Sequence, residues 1–366
     1  MKVRASEPEP RRRARELGLA PGALEPGARN AITDVRGVRV GHVTLVVGEA
    51  IRTGVTVVLP HGGDPFTERV PAGLFVANGF GKLVGATQVL ELGELETPIA
   101  LTNTLSVPEA AAALIAWTLD RPGLGDVRSV NPFVGETNDG SLNDIRARFV
   151  EPGHVLEAIA AASDGCVAEG SVGAGTGTVA LGFKAGIGTS SRVASTPLGE
   201  ATVGVLVQAN FGGTLLMDGL RVGERLRSEG IGWRDDGDGS AMIVIATDAP
   251  LSDRNLRRLA LRATAGLART GAGFAHASGD YALAFSTASE VRRGDRGRAP
   301  EPGGAWPNES LSALSQAVIE ATEEAILNAL CMAESVTGFE GARAPALPLR
   351  EVERMVRARR EAGPGG

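Results

Sequence analysis

Ser240 stands between Gly239 and the apolar run Ala241-Met242-Ile243-Val244-Ile245-Ala246. A small hydroxyl residue between a glycine and the first residues of a buried strand is what a chain needs if it is to cut itself there. Glycine at 239 can hold backbone angles closed to other residues, which lets the Ser240 hydroxyl reach the preceding carbonyl carbon and bend that peptide. An N-to-O acyl shift and hydrolysis of the resulting ester would leave Ser240 as a new N-terminus. An α-amine ordinarily titrates at about pH 8, so the freed amine can serve as general base for its own hydroxyl. The segment Asp235-Asp236-Gly237-Asp238-Gly239-Ser240 fits an ordinary turn as well, since Asp-Gly pairs are common turn formers.

Three other clusters carry groups that such a nucleophile would use. Ala277-Ser278-Gly279-Asp280 leads into the run Tyr281 to Phe285. Residues two apart on an extended chain project to one side, so Ser278 and Asp280 can both face a nucleophile, one passing a proton and the other orienting the first. Val207-Gln208-Ala209-Asn210-Phe211-Gly212-Gly213 closes a valine-rich strand, and the Asn210 amide with the N–H groups of the glycine turn is the kind of fixed donor set that stabilises an oxyanion. Gly135-Glu136-Thr137-Asn138-Asp139-Gly140-Ser141-Leu142-Asn143-Asp144 is dense in acids and amides and can receive a substrate ammonium group. Each cluster also reads as local backbone chemistry: a Ser-Gly-Asp turn, an asparagine turn, and an Asx-capped loop opening a helix.

Other motifs fail on spacing. Gly173-Ala174-Gly175-Thr176-Gly177 lacks the third glycine of a dinucleotide fingerprint, and Gly81-Lys82-Leu83 has neither the upstream glycine nor the Ser/Thr of a phosphate loop, so both are expected to be bends and loops. His42, His61, His154 and His276 are never close enough in sequence for a helical ligand pair, so neither a metal site nor a histidine triad is expected. Cys166 and Cys331 alone cannot build a disulfide framework or a four-cysteine zinc site.

The elements that must position these groups are short and rich in valine, isoleucine and alanine. Thr53 to Leu59, Ile99 to Leu101, Ala201 to Val207, Ala241 to Ala246 and Tyr281 to Phe285 read as strands with glycine and proline at their flanks. Ser106-Val107-Pro108-Glu109 is a capping-box pattern opening a helix through Leu119, which Pro122-Gly123 ends. A second helix over Asp253 to Thr270 carries Leu256, Leu259, Ala260, Ala263 and Leu267 on one stripe, and a third spans about Leu311 to Glu334. A short helix is expected around Ala14-Arg15-Glu16-Leu17 in a polar arm, and fraying after Val356. Strands in both halves with long helices outside them make a layered α/β sandwich.

The chain has 366 residues, enough for about two ordinary domains or one large one. Fifty glycines and 4% aromatic residues point to close backbone packing rather than a core of large rings. A net charge of −6 and a pI near 5.5 argue against nucleic acid or anionic membrane as the main partner and favour small molecules or peptides. Met1 to Arg13 carries acid and proline where a signal peptide needs an apolar core, and no run of about 18 apolar residues occurs, so a soluble, cytoplasmic protein is expected.

Together the motifs resemble the DmpA-type serine aminopeptidases, the P1 peptidase family of L-aminopeptidase/D-Ala-esterase/amidases and β-peptidyl aminopeptidases. The resemblance runs from about Ala14 to about Leu349. It rests on Asn30-Ala31-Ile32-Thr33-Asp34-Val35, Gly37-Val38-Arg39-Val40-Gly41-His42, Glu96-Thr97-Pro98-Ile99 with Leu101-Thr102-Asn103-Thr104, Gly135-Glu136-Thr137-Asn138-Asp139-Gly140, Gln208-Ala209-Asn210-Phe211-Gly212, Gly239-Ser240 and Ile245-Ala246-Thr247-Asp248-Ala249-Pro250. It implies a four-layer αββα sandwich of the DmpA/ornithine acetyltransferase-like type, with an N-terminal arm over 1–30. An α chain over 31–239 and a β chain over 240–356 would stay associated after cleavage between Gly239 and Ser240, with a flexible tail over 357–366 and a tetramer of αβ units. By the same resemblance Ser240 is the nucleophile, Ser278 and Asp280 support it, Asn210 belongs to the oxyanion hole and Glu136 docks the substrate amine. Two departures stand out: Ser141 occupies a position that is often aromatic, and Asp280 is shorter than the glutamate of some relatives.

The resulting expectation is an autoprocessed N-terminal-serine hydrolase that releases N-terminal residues from short peptides, amides or esters through an acyl-enzyme, without metal or organic cofactor. The alternatives are an acyltransferase of the ornithine acetyltransferase type and an unprocessed binding protein that kept the fold. Ser240 in place of threonine, with the Glu-Thr-Asn-Asp-Gly block, favours hydrolysis.

Overall fold

The computed structural model describes residues 9–232, 239–294 and 304–362, so the turn expected over Asp235 to Asp238 lies outside the described residues. In chain order, β1 (Arg39–Val47) and β2 (Ile51–Leu59) form a tight hairpin, followed by β3 (Val70–Gly79), helix α1 (Ala86–Leu92), the short β4 (Glu94–Leu95) and β5 (Ile99–Asn103). Helix α2 (Val107–Leu119), β6 (Phe133–Thr137) and α3 (Pro152–Ala160) come next, then a small hairpin of β7 (Val179–Ala180) and β8 (Phe183–Lys184). The long antiparallel pair β9 (Ile187–Thr196) and β10 (Gly199–Asn210) precedes α4 (Val222–Ser228). Then come β11 (Ser240–Thr247), α5 (Asp253–Arg269), β12 (Gly279–Ser286), α6 (Leu311–Met332), a second small hairpin of β13 (Val336–Thr337) and β14 (Arg343–Ala344), and α7 (Leu349–Ala362).

Besides the small hairpins, two large sheets result among the described residues, one ordered β1-β2-β5-β6 and the other β4-β3-β12-β11-β10-β9. The parallel pairs β5–β6 and β11–β12 are joined through α2 and α5, as a parallel pair requires a crossover. Alternation along the strands sorts side chains into three apolar layers. Met242, Val244, Ala246, Leu283 and Phe285 meet Ile99, Leu101 and Phe133 between the sheets. Ala241, Ile243, Ile245, Ala282 and Ala284 face Leu256, Leu259, Ile326 and Leu330 of α5 and α6. On the far side Val55, Val57, Ala100 and Val134 pack on Ala110, Leu114, Val155 and Ile159 of α2 and α3. The order of layers is therefore helix, sheet, sheet, helix, each fully buried Val, Leu, Ile, Phe or Met side chain contributing about 1.5–3 kcal/mol. Glycine lets the layers close: a Cβ on Gly188 of β9 would lie 1.9 Å from the Ala325 carbonyl oxygen of α6, and one on Gly41 of β1 would lie 2.0 Å from that of Ala158.

The five expected strands all form, lengthened at their ends, and α5 occupies the expected span. Its N-cap is Ser252, whose hydroxyl accepts the Asn255 N–H, and Gly271 at φ +88° follows its end. The capping box expected at Ser106 does not form. The side chain of Asn103 accepts the Ser106 N–H at 3.0 Å and makes a 3-10 turn, while Glu109 pairs with Arg148 instead. Helix α7 continues to Ala362, past the expected point of fraying, because Leu349, Val352 and Val356 dock into the core; residues 363–366 lie outside the described ones.

The arm is bound to the body rather than loose. Arg13 pairs with Glu169 at 2.8 Å, Arg15 with Glu324 at 2.9 Å, and the Ala14 N–H donates to Asn328 Oδ1 at 3.0 Å. Beneath it the fully buried Arg192 of β9 meets Glu320 at 3.3 Å and Glu324 at 2.6 Å, both from α6. Removing the cation strands these carboxylates away from water. Arg192→Met is expected to destabilise the fold by about 3–5 kcal/mol, read as a lowered urea midpoint; a loss under about 1 kcal/mol would show that the arm's arginines suffice.

Candidate active site

Ser240 opens β11, a strand buried along its whole length, with Asn210 of β10 opposite it on one side and Gly279 of β12 on the other. The Gly279 N–H points at two acceptors, the Ser240 Oγ at 3.2 Å and the Gly239 carbonyl oxygen at 3.3 Å. The structure shows one reason for glycine at 239. It is needed for space: a Cβ there would lie 2.3 Å from the Asn210 carbonyl oxygen and 2.5 Å from the Phe211 Cα.

Ser278 and Asp280 come together as expected, the Ser278 hydroxyl donating to Asp280 Oδ1 at 2.8 Å while Oδ2 is buried without a partner among the described residues. Burial pushes the Asp280 carboxyl up, against the hydrogen bonds from Ser278 and the Ala241 backbone. Alternation decides what the pair can touch. Ser240 shares the inter-sheet face with Met242 and Val244, whereas Asp280 shares the helix face with Ala282 and Ala284. Asp280 therefore lies against the Ala241 backbone of β11, and no hydrogen bond joins it or Ser278 to the Ser240 hydroxyl among the described residues. Asn210 shares the inter-sheet side with Gln208, and its Oδ1 accepts the Val179 N–H at 3.1 Å, which leaves the amide nitrogen as its donor end.

Glu136 lies in the other sheet, on β6, almost fully buried. Its Oε1 accepts the Lys82 N–H at 2.8 Å and its Oε2 the hydroxyl of Thr104, and no cation pairs with it among the described residues. Each carboxylate oxygen keeps capacity for a further donor. Between Glu136 and Gly279 runs the loop Phe80-Gly81-Lys82, whose Gly81 carbonyl accepts the Tyr281 hydroxyl at 2.8 Å. Burial and then the charges of Glu136 and Asp280 push the Tyr281 phenol up. Sequence reasoning set Gly81-Lys82 aside as a loop and missed Tyr281 and Thr104; only the meeting of the two sheets reveals them.

Two further buried ions flank the amide side. Asp139 receives the Asn143 amide at 3.0 Å, and burial pushes its carboxyl up to about 6. Lys184, fully buried on β8, donates to the carbonyls of Gly175, at 2.9 Å, and Ala185; burial pushes its ammonium down to about 7, with Asp139 acting in the opposite sense.

A strand-end serine flanked by an amide and a Ser–Asp pair, with a buried carboxylate facing it across two sheets, is a constellation for acyl transfer from amine-bearing substrates, and the comparisons agree: the chain is a serine aminopeptidase, a hydrolase. It belongs to Peptidase family S58, the DmpA-type family, whose family profile matches residues 30–344. It is 41% identical to the beta-peptidyl aminopeptidase BapA of Sphingosinicella microcystinivorans, across 94% of this chain and 92% of that one. Among solved structures it is similar to a beta-aminopeptidase of a Burkholderia species, with 44% identity, a TM-score of 0.87 and coverage of 96% and 99% of the two chains. It is also similar to the L-aminopeptidase D-Ala-esterase/amidase of Ochrobactrum anthropi, described as a prototype for the serine aminopeptidases and a variant of the Ntn hydrolase fold, with 34% identity, a TM-score of 0.86 and coverage of 94% and 98%.

The raised pKa of Asp139 couples stability to pH. The native state keeps a proton that the unfolded chain has lost between roughly pH 4 and 6, so stability present at low pH drains as pH rises through about 6. The opposite titration of Lys184 falls above about 7. Between pH 4 and 7 the stability of Asp139→Asn relative to the unsubstituted protein should improve by on the order of 2 kcal/mol, measured from urea midpoints at each pH; a constant difference would mean that Asp139 stays ionised.

Proposed function

We propose that this chain is an autoprocessed N-terminal-serine hydrolase that cuts between Gly239 and Ser240 and then releases N-terminal residues from short peptides, amides or esters. One observation carries the reading: the Gly279 N–H stands within hydrogen-bond reach of both the Ser240 Oγ and the Gly239 carbonyl oxygen. When Oγ attacks the Gly239 carbonyl carbon, negative charge develops on that oxygen, where a backbone donor already waits. The amide nitrogen leaves as the Ser240 α-amine, and water hydrolyses the ester. The α chain over 31–239 and the β chain over 240–356 stay interlocked, since the sheet alternates between them: β3, β9 and β10 precede the cut, and β11 and β12 follow it.

In peptide cleavage the Ser240 Oγ attacks the substrate carbonyl and its proton passes to the α-amine and on to the departing amine; the acyl group is left on Oγ as an ester, which water hydrolyses to release the residue and restore the hydroxyl. The Ser278–Asp280 pair orients that α-amine rather than the hydroxyl, a reading supported by Asp280 lying beside the Ala241 backbone. Asn210 supplies its amide N–H to the oxyanion. Glu136, a buried carboxylate held by neutral donors and lacking a cation among the described residues, takes the substrate ammonium. The names of the relatives make β-amino acids the first N-terminal residues to try alongside α-amino acids.

Ser240→Ala is expected to give a single denaturing-gel band near 37.6 kDa and no amidase activity, against two bands for the unsubstituted protein. An uncut but active preparation would remove Ser240 from both roles. Glu136→Gln is expected to process normally and to lose roughly 10- to 150-fold in kcat/KM on substrates with a free amine, the worth of one charge-assisted hydrogen bond. Normal turnover of such substrates would make Glu136 structural.

A further inference from the structure

The loop Phe80-Gly81-Lys82 is held at three backbone points. The Phe80 N–H donates to the Ser278 carbonyl at 3.3 Å, the Gly81 carbonyl accepts the Tyr281 hydroxyl at 2.8 Å, and the Lys82 N–H donates to Glu136 Oε1 at 2.8 Å. Its path leaves no room for side chains at the crossing: a Cβ on Gly279 would lie 2.6 Å from the Gly81 Cα, and one on Gly81 would lie 2.8 Å from Tyr281 Cε2. The backbone thus bridges the sheet end that carries Ser240 and Ser278 to the carboxylate in the other sheet. The two side chains it presents outward differ in kind. Phe80 is 58% exposed although aromatic, and the Lys82 ammonium lies 5.1 Å from the Phe80 ring and 3.3 Å from its carbonyl oxygen, with no carboxylate partner among the described residues.

We propose that this loop reads the side chain of the substrate's N-terminal residue, Phe80 offering an apolar wall and Lys82 a positive charge that accepts neutral and acidic side chains and disfavours basic ones. The inference rests on Glu136 as the dock for the substrate amine. With the ammonium bound to the carboxylate that the Lys82 N–H also holds, the first Cα of the substrate sits beside the Lys82 backbone, and the loop is the wall nearest its side chain. The Lys82 ammonium then acts across less than a Debye length, about 8–10 Å in ordinary buffer. A second cation brought there is repelled, a carboxylate is attracted, and an aliphatic side chain covers the exposed Phe80 ring.

The test measures kcat/KM for the p-nitroanilides of leucine, alanine, lysine and glutamic acid with the unsubstituted protein, Lys82→Glu, Lys82→Met and Phe80→Ala. The readout is the ratio of substrates within one preparation, so partial misfolding of a variant does not alter it. Lys82→Glu should raise the lysine-to-glutamate ratio on the order of tenfold or more, Lys82→Met should fall between, and the change should shrink at 1 M salt. Phe80→Ala should lower leucine relative to alanine several-fold. Ratios unchanged within about twofold, with Glu136→Gln still impairing amine-bearing substrates, would overturn the role of the loop alone. Normal turnover by Glu136→Gln would overturn the amine dock and this inference with it.

Discussion

The site depends on the placement of β11 between β10 and β12. All eight of its residues are buried, both of its edges are paired, and each of its faces meets an apolar layer. A strand held in that way has one register, because a slip of one residue would turn Met242 and Val244 into the helix layer and the Ser240 side chain away from the second sheet. Asn210, Ser240 and Gly279 are thereby set side by side at one sheet end. Gly239 and Gly279 allow the surrounding backbone to approach this closely, since a Cβ on either would meet neighbouring backbone at 2.3–2.6 Å.

The handling of buried charge separates scaffold from site. Beneath the arm, Arg192, Arg13 and Arg15 meet Glu320, Glu324 and Glu169 as ion pairs, and the N–H groups of Ala23 and Leu24 take up the oxygens of Glu320. At the strand end no cation pairs with the carboxylates among the described residues: Glu136 is held by neutral donors, and Asp280 keeps one oxygen unpartnered. A buried carboxylate without a counter-ion is costly to an empty fold.

Family membership and the local signals agree where the chemistry is local. The glycine–serine step before an apolar run, the Ser-Gly-Asp step before another, and the amide at the end of a valine-rich strand all sit where the residue order puts them. Helix α5 is readable for the same reason, since its stripe, its N-cap and its terminating glycine are contiguous. The expected capping box at Ser106 fails because Asn103, three residues upstream, reaches the same N–H first. Helix α7 outlasts its charged appearance because Leu349, Val352 and Val356 find a surface to cover.

The sequence by itself determined the type and order of the elements around Ser240 and the residue types at the site, because periodicity, caps and turn residues act over a few positions of chain. Tertiary structure alone decided their relations. The acidic Glu136 block and the serine strand lie in different sheets, and only sheet-on-sheet packing draws Lys82, Gly81 and Tyr281 between them. Spacing two apart let Ser278 and Asp280 meet; which face of β12 Asp280 takes, the one opposite the inter-sheet face of Ser240, follows from the layer against which Ala282 and Ala284 pack. No local rule carries that information, since a strand's two faces are equivalent until something is packed against one of them.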